Sequence, residues 1–99
     1  MASFTIRVAL HDANWQHYVD MARDLATKGI TDVIAADNGT HYKLSPAEYN
    51  FVGNATADSV LEAVKASAAK TGKRYAVMVT EATRRTWVGL ETIQARRSA

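Results

Sequence analysis

A strict alternation near the start of the chain constrains it most. Phe4, Ile6, Val8 and Leu10 interleave with Thr5, Arg7 and Ala9, the period-two pattern of a strand that buries one face. His11 and Asp12 leave the end of that strand, and an amphipathic helix begins directly afterwards. The turn His11-Asp12-Ala13-Asn14 therefore sits beside a helix N-terminus, where backbone N–H groups and the helix dipole favour an anionic ligand. Any chemistry is expected near this turn.

The helix is predicted over 14–28. Trp15, Tyr18, Val19, Ala22, Leu25 and Ala26 recur at spacings of three and four, with polar residues between them. Asp12 or Asn14 is its N-cap, and Gly29 supplies the left-handed residue that ends it. The apolar, β-branched run 30–36 is read as a strand. Asp37-Asn38-Gly39 then gives a hairpin signal that returns the chain antiparallel through 40–44. Ser45-Pro46 interrupts the returning strand, since proline lacks the ladder donor, and the run resumes at 49–52. A second helix is predicted over 57–71, capped by Thr56, striped by Val60, Leu61, Val64 and Ala68, and stopped by Gly72. A strand over 75–80 follows, and the β-favouring run 86–93 is read as one more.

The order is β, α, β, β, α, β with an added terminal strand. It predicts an α+β fold of the ferredoxin-like βαββαβ kind, an antiparallel sheet with two helices on one face and an extra C-terminal strand. Right-handed crossovers would place the first and last core strands at the centre of the sheet. Ninety-nine residues suit one domain with one core, here 1–99, with 94–99 expected to be a flexible basic tail.

Charge is divided unevenly. Residues 1–60 carry four basic and seven acidic side chains, a net of −3, whereas 61–99 carry eight basic and three acidic, a net of +5. The basic half suits a phosphate-bearing partner if the fold gathers it on one face, and is otherwise a solvated surface. With no cysteine there is no disulfide, thiolate metal site or thiol nucleophile. Met1-Ala2-Ser3 runs into the first strand without a secretory pattern, and no apolar run approaches the ~20 residues of a membrane span, so a cytoplasmic location is expected. No glycine-rich phosphate loop or GxSxG elbow is present, which argues against a nucleotide cofactor and serine hydrolysis.

Two stretches carry a resemblance. Phe4-Thr5-Ile6-Arg7-Val8-Ala9-Leu10-His11-Asp12 is one; the other is Ile34-Ala35-Ala36-Asp37-Asn38-Gly39, followed by Tyr42-Lys43-Leu44-Ser45-Pro46-Ala47-Glu48-Tyr49. With the chain's length and element order, they resemble the GhoS-like endoribonuclease antitoxins of type V toxin-antitoxin systems, which are structurally similar to small metal-dependent endonucleases of CRISPR systems. The resemblance implies binding and sequence-selective cleavage of single-stranded RNA, namely a toxin transcript, by a small protein able to dimerise. Asp12 matches the acidic residue that ends the first strand of those CRISPR endonucleases, where it belongs to a metal-dependent site.

Each candidate residue has an alternative. Asp12 could hold Mg²⁺ across a dimer axis, because a hard cation wants carboxylate oxygens; it could equally cap the helix. His11 could act as general base or acid at a ribose 2′-hydroxyl, or be an ordinary surface histidine. Arg84 and Arg85, with Trp87 two residues on, combine phosphate-binding cations with a ring that can stack on an unpaired base, unless Trp87 turns into the core. Arg7 is expected on the strand face opposite Ile6 and Val8, there lining an RRM-like surface with Met78 and Tyr42 or His41, and Lys43 is a further RNA contact. Trp15, Tyr18, Phe51 and Tyr75 are expected in the core. From a different class comes a non-catalytic homodimeric interaction module that pairs through the late run 86–93.

Overall fold

The computed structural model describes residues 1–93; the predicted basic tail, 94–99, lies outside them. Two antiparallel three-stranded sheets and two helices make up an α+β fold. In chain order the elements are β1 (Ala2–Leu10), α1 (Trp15–Ala26), β2 (Val33–Ala35), β3 (His41–Lys43), β4 (Glu48–Gly53), α2 (Ala57–Ala69), β5 (Tyr75–Ala82) and β6 (Thr92–Ile93). One sheet runs β4-β1-β5 and the other β2-β3-β6.

The alternation in β1 does what its pattern requires. Phe4, Ile6, Val8 and Leu10 are all buried. They form one cluster with Met21 and Leu25 of α1, Tyr49 of β4, and Val60, Val64 and Ala68 of α2. β1 is antiparallel to both neighbours, with Ile6 opposite Tyr49 on one side and Val79 on the other. β4 and β5 are therefore parallel to each other across β1, and α2 is the crossover that joins them. β1 lies at the centre as expected. β5 does not: among the described residues it pairs only with β1, because the α2 crossover spans a single strand and sets β5 down on its far side.

The helix ends follow their local chemistry. Asn14, not Asp12, caps α1: its Oδ1 accepts from the His17 N–H at 3.2 Å, and His17 Nδ1 accepts from the Asn14 N–H at 3.0 Å. Thr56 and Ser59 make the same reciprocal pair on α2. Gly29 and Gly72 end the two helices at φ +78° and +77°. The Asp37-Asn38-Gly39 turn closes the β2–β3 hairpin, with Ala36 N–H donating to Thr40 O at 2.8 Å.

Two expectations change. The interruption expected at Ser45-Pro46 is a short turn, and it goes further than breaking one strand: it separates two sheets, with Ala47, at φ 70°, turning the chain out of β3 into β4. A single bridge, Thr31 to Asn50, links the sheets. The run 86–93 is strand only over Thr92–Ile93, which pairs with β3. β propensity loses there because Arg85 and Trp87 are engaged by side-chain partners on either side of the crossing, and Gly89 turns the backbone at φ +85°.

The helices are also joined by a polar clasp. Fully buried Ser67 donates to Asp24 Oδ2 at 2.6 Å and accepts from Lys28 Nζ at 2.8 Å, while Lys70 Nζ reaches Asp24 Oδ1 at 3.0 Å. The Ser67 hydrogen bond, then that of Lys70, holds the Asp24 carboxyl below its usual range. Because the folded value is lowered, the stabilisation is present above the unfolded carboxyl's pKa, near 4, and disappears as pH falls through the folded value. Urea unfolding should find Asp24→Asn less stable than the parent chain at neutral pH, with the two midpoints converging on acidification below about pH 4.

Candidate nucleic-acid interface

The face of β1 turned away from the helices carries Ser3, Thr5, Arg7 and Ala9. Their cross-strand neighbours are Glu48, Asn50 and Val52 on β4, and Ala76, Met78, Thr80 and Ala82 on β5. Among the described residues no helix covers this side. Arg7 and Met78 stand opposite each other and are exposed, Met78 at 65%. Arg7 makes a 3.8 Å ion pair with Glu48. His41 and Tyr42 belong to the other sheet, so the imagined surface is split between two sheets.

The segment after β5 folds back over one end of this face. Arg85 Nη1 donates to Asn50 Oδ1 at 2.7 Å, and to Thr5 Oγ1 and the Phe4 carbonyl, each at 3.3 Å. All three acceptors are neutral, and among the described residues no carboxylate lies within ion-pair distance of this half-buried guanidinium. Burial draws its pKa down from the ordinary arginine range. Arginine remains protonated under any physiological condition, so the charge persists. Nη2 and Nε bond no described residue and remain as donors.

Beside Arg85, between the two sheets, is a cavity of about 620 Å³. Arg84, Arg85, Thr86 and Trp87 form one wall, Ser3, Asn50 and Val52 the floor, and Ile34 to Asp37 the opposite side. Its volume falls in the range of roughly 300–1,000 Å³ used by small-ligand sites. Trp87 is half-buried, its ring set edge-on to Tyr42 with centroids 5.5 Å apart. It is neither a core residue nor a free surface ring; Tyr42 of the hairpin holds it at the cavity wall. Arg84 is exposed and makes no ion pair with a described residue.

The structure thus brings together Arg84, Arg85 and Trp87 and leaves the other predicted residues elsewhere. Lys43 makes a 2.9 Å ion pair with Asp32 and does not line this cavity. His11 and Asp12 are exposed in the turn at the far end of β1, where the His11 N–H donates to the Arg74 carbonyl at 2.9 Å. At a strand rise of about 3.3 Å per residue, His11 is some 26 Å from Ser3 at the cavity floor. Asp12 adopts φ 55°, a left-handed conformation that Asp tolerates, and has no capping role. No set of three or more His, Asp or Glu side chains gathers anywhere among the described residues. Within one chain Asp12 would supply Mg²⁺ with a single carboxylate, leaving waters and phosphate oxygens to fill the other positions.

Asn50 was not anticipated. It is a polar residue between Tyr49 and Phe51 in a run otherwise read as apolar, and that interruption was the available signal. Its amide donates to Val33 O at 3.1 Å while its carbonyl accepts from Arg85, so one side chain ties the first sheet to the second and to the 83–87 loop. The expected core positions of Trp15 and Tyr75 are also corrected. Trp15 is 70% exposed, because it begins α1 beyond the reach of β1, and Tyr75 at the mouth of β5 is exposed as well. Tyr18 and Phe51 are packed against the core.

No family model matches the chain, and no curated protein matches it by sequence. No helix among the described residues is long and apolar enough to cross a membrane.

Arg85 is the tie between the first sheet and the loop that carries Trp87 toward β6. Arg85→Ala should cost about 1–3 kcal/mol in local opening. Hydrogen exchange should quicken at Lys43, whose N–H is bonded to Glu91 O at 2.9 Å, and stay unchanged at the β1–β5 ladder.

Proposed function

We propose that this protein binds single-stranded RNA at the open face and cavity, in the manner of a GhoS-like RNA-binding antitoxin in the cytoplasm. The observation that carries the reading is Arg85: a half-buried, fully charged guanidinium held only by neutral acceptors, at a cavity shared with Arg84 and Trp87. An arginine fork matches phosphate oxygens, and an aromatic face takes an unpaired base of any identity. Arg7 continues the cationic surface along β1 toward the far end of the sheet. The same reading takes the element order as a ferredoxin-like βαββαβ sandwich. In its support, both helices join the cluster on one side of β1, and the Thr31–Asn50 bridge brings the β2 end beside β4.

Endonucleolytic cleavage of a toxin transcript, with Asp12 and His11 acting and Mg²⁺ held at Asp12, is the further step of the reading. It has only the sequence resemblance behind it. An RNA held at Arg85 would have to run the length of β1 to meet those side chains. Binding and cleavage therefore separate in one experiment with an unpaired RNA oligonucleotide. Affinity should fall with salt, with a slope of roughly 0.7 per phosphate contact, and Arg84→Ala should shallow that slope by about one contact. Trp87→Ala should weaken binding by about 1–3 kcal/mol. Asp12→Asn and His11→Ala should leave affinity in place and reduce cleavage by roughly 100-fold or more. Affinity indifferent to salt overturns the binding reading; a turnover rate unaffected by both far-end variants overturns the cleavage reading alone.

One observation favours a second reading, a homodimeric interaction module. The outer edge of β5, eight residues without proline or lysine, pairs with no described strand, and such an edge is a template for a second copy. This edge takes the place of 86–93, which is mostly not strand. A dimer built along it should run as such on size exclusion, and Thr80→Lys should return it to monomer.

A further inference from the structure

A second concavity lies on the other side of β4. Residues alternate along that strand, so Asn50 faces the open side while Tyr49 points with Ile6 into the helix side. Between the first two turns of α1 and the 45–47 turn is a cavity of about 440 Å³, walled by Trp15, Tyr18, Val19, Ala22 and Pro46. Its wall is fixed: Ala47 O accepts from the Val8 N–H at 3.1 Å, and the Tyr18 hydroxyl accepts from the Leu10 N–H at 2.9 Å. Asp32 and Lys43 stand at its rim, paired at 2.9 Å, and add no net charge.

Tyr49 adds a hydroxyl to this largely apolar cavity, where the Ser45 hydroxyl and the Trp15 indole N–H likewise bond no described residue. The residue is only 4% exposed, yet its hydroxyl bonds no described residue, and it is not sealed from solvent. Tyr49 is one of the residues that line this cavity. Burial, with Asp32 next in effect, pushes the phenol up to about 12, so it stays protonated and able to donate. A hydroxyl that meets only water can exchange that water for a ligand acceptor, and an apolar pocket with a few polar groups is the usual composition of a small-ligand site. Trp15, an exposed ring at the start of α1, offers a flat surface above it.

We propose that this cavity is a binding site for a neutral, planar aromatic molecule carrying a hydrogen-bond acceptor, which stacks against Trp15 and takes the Tyr49 hydroxyl proton in a hydrogen bond. Neutrality follows from the internally paired rim, planarity from the ring-lined walls, and the acceptor from the Tyr49 hydroxyl, which bonds no described residue. The site is separate from the Arg85 cavity and does not depend on RNA binding.

The test uses the full chain, ¹⁵N-labelled, titrated with quinoline and separately with naphthalene at slightly alkaline pH, where both are neutral. The two rings share a shape, and only quinoline has an acceptor. Saturable amide shifts should centre on 15–22 and 45–49, with quinoline bound about fivefold more tightly. Tyr49→Phe keeps the ring and its packing, so it should erase that preference and leave naphthalene binding as it was. Trp15→Ala, at an exposed position that the core does not need, should weaken both. No saturable shift with either ring, equal affinities in the parent chain, or a preference that survives Tyr49→Phe overturns the proposal. So do shifts at the same amides that follow protein concentration without ligand, which would assign the groove to a second copy.

Discussion

Burial of the row Phe4, Ile6, Val8 and Leu10 positions every larger element of this protein. These side chains need apolar cover along the whole of β1, more than one helix supplies, so α1 and α2 share the row, and β4 and β5 flank it. At about 1.5–3 kcal/mol for each large apolar side chain removed from water, this row is the strongest organising force in a chain of this size. Its consequence for function is geometric. Filling one side of β1 with helices leaves the other side free of them, and that is where Thr5, Arg7 and the acceptors for Arg85 stand.

The open side is not simply solvent-facing. The chain returns to it after β5, and Arg85 is the anchor, drawing on a main-chain carbonyl, a threonine and an asparagine. A carboxylate in that position would have closed the electrostatic balance. Three neutral acceptors satisfy donors without cancelling charge, so Arg85 keeps its charge at a cavity that Asp37 also lines. Trp87 is held in a comparable way by Tyr42, across the gap between the sheets. Pre-organised cation and ring together cost a ligand little ordering entropy. By contrast, the His11-Asp12 turn is exposed and has no neighbouring carboxylate cluster, so any reactivity there would have to be assembled with the substrate.

The second concavity arises from the interruption at Ser45-Pro46. Proline cannot extend the β3 ladder, the chain leaves for the first sheet at Ala47, and the detour stands away from α1 instead of packing on it. Tyr49, two residues on, is buried with the same core row and lines the gap. A break in one strand thus opens a small apolar site on the helix side, while the polar residue that follows it, Asn50, ties the two sheets together on the open side.

By itself the sequence determined the elements whose signals are local: the alternation of β1, both helices with their glycine ends, the Asn38-Gly39 hairpin and the Thr56 cap each reflect interactions within a few residues. It also singled out Arg84, Arg85 and Trp87 by type, and put Arg7 on the right face of its strand. Only the tertiary structure decided that β3 and β4 belong to different sheets, that β5 is an edge, that most of 86–93 is a crossing loop, and that Lys43 pairs with Asp32. Those outcomes depend on partners distant in the chain, such as Asn50 for Arg85, Tyr42 for Trp87 and Glu91 for Lys43. Local propensity is worth tenths of a kcal/mol per residue and yields to such contacts, each worth roughly 1 kcal/mol or more.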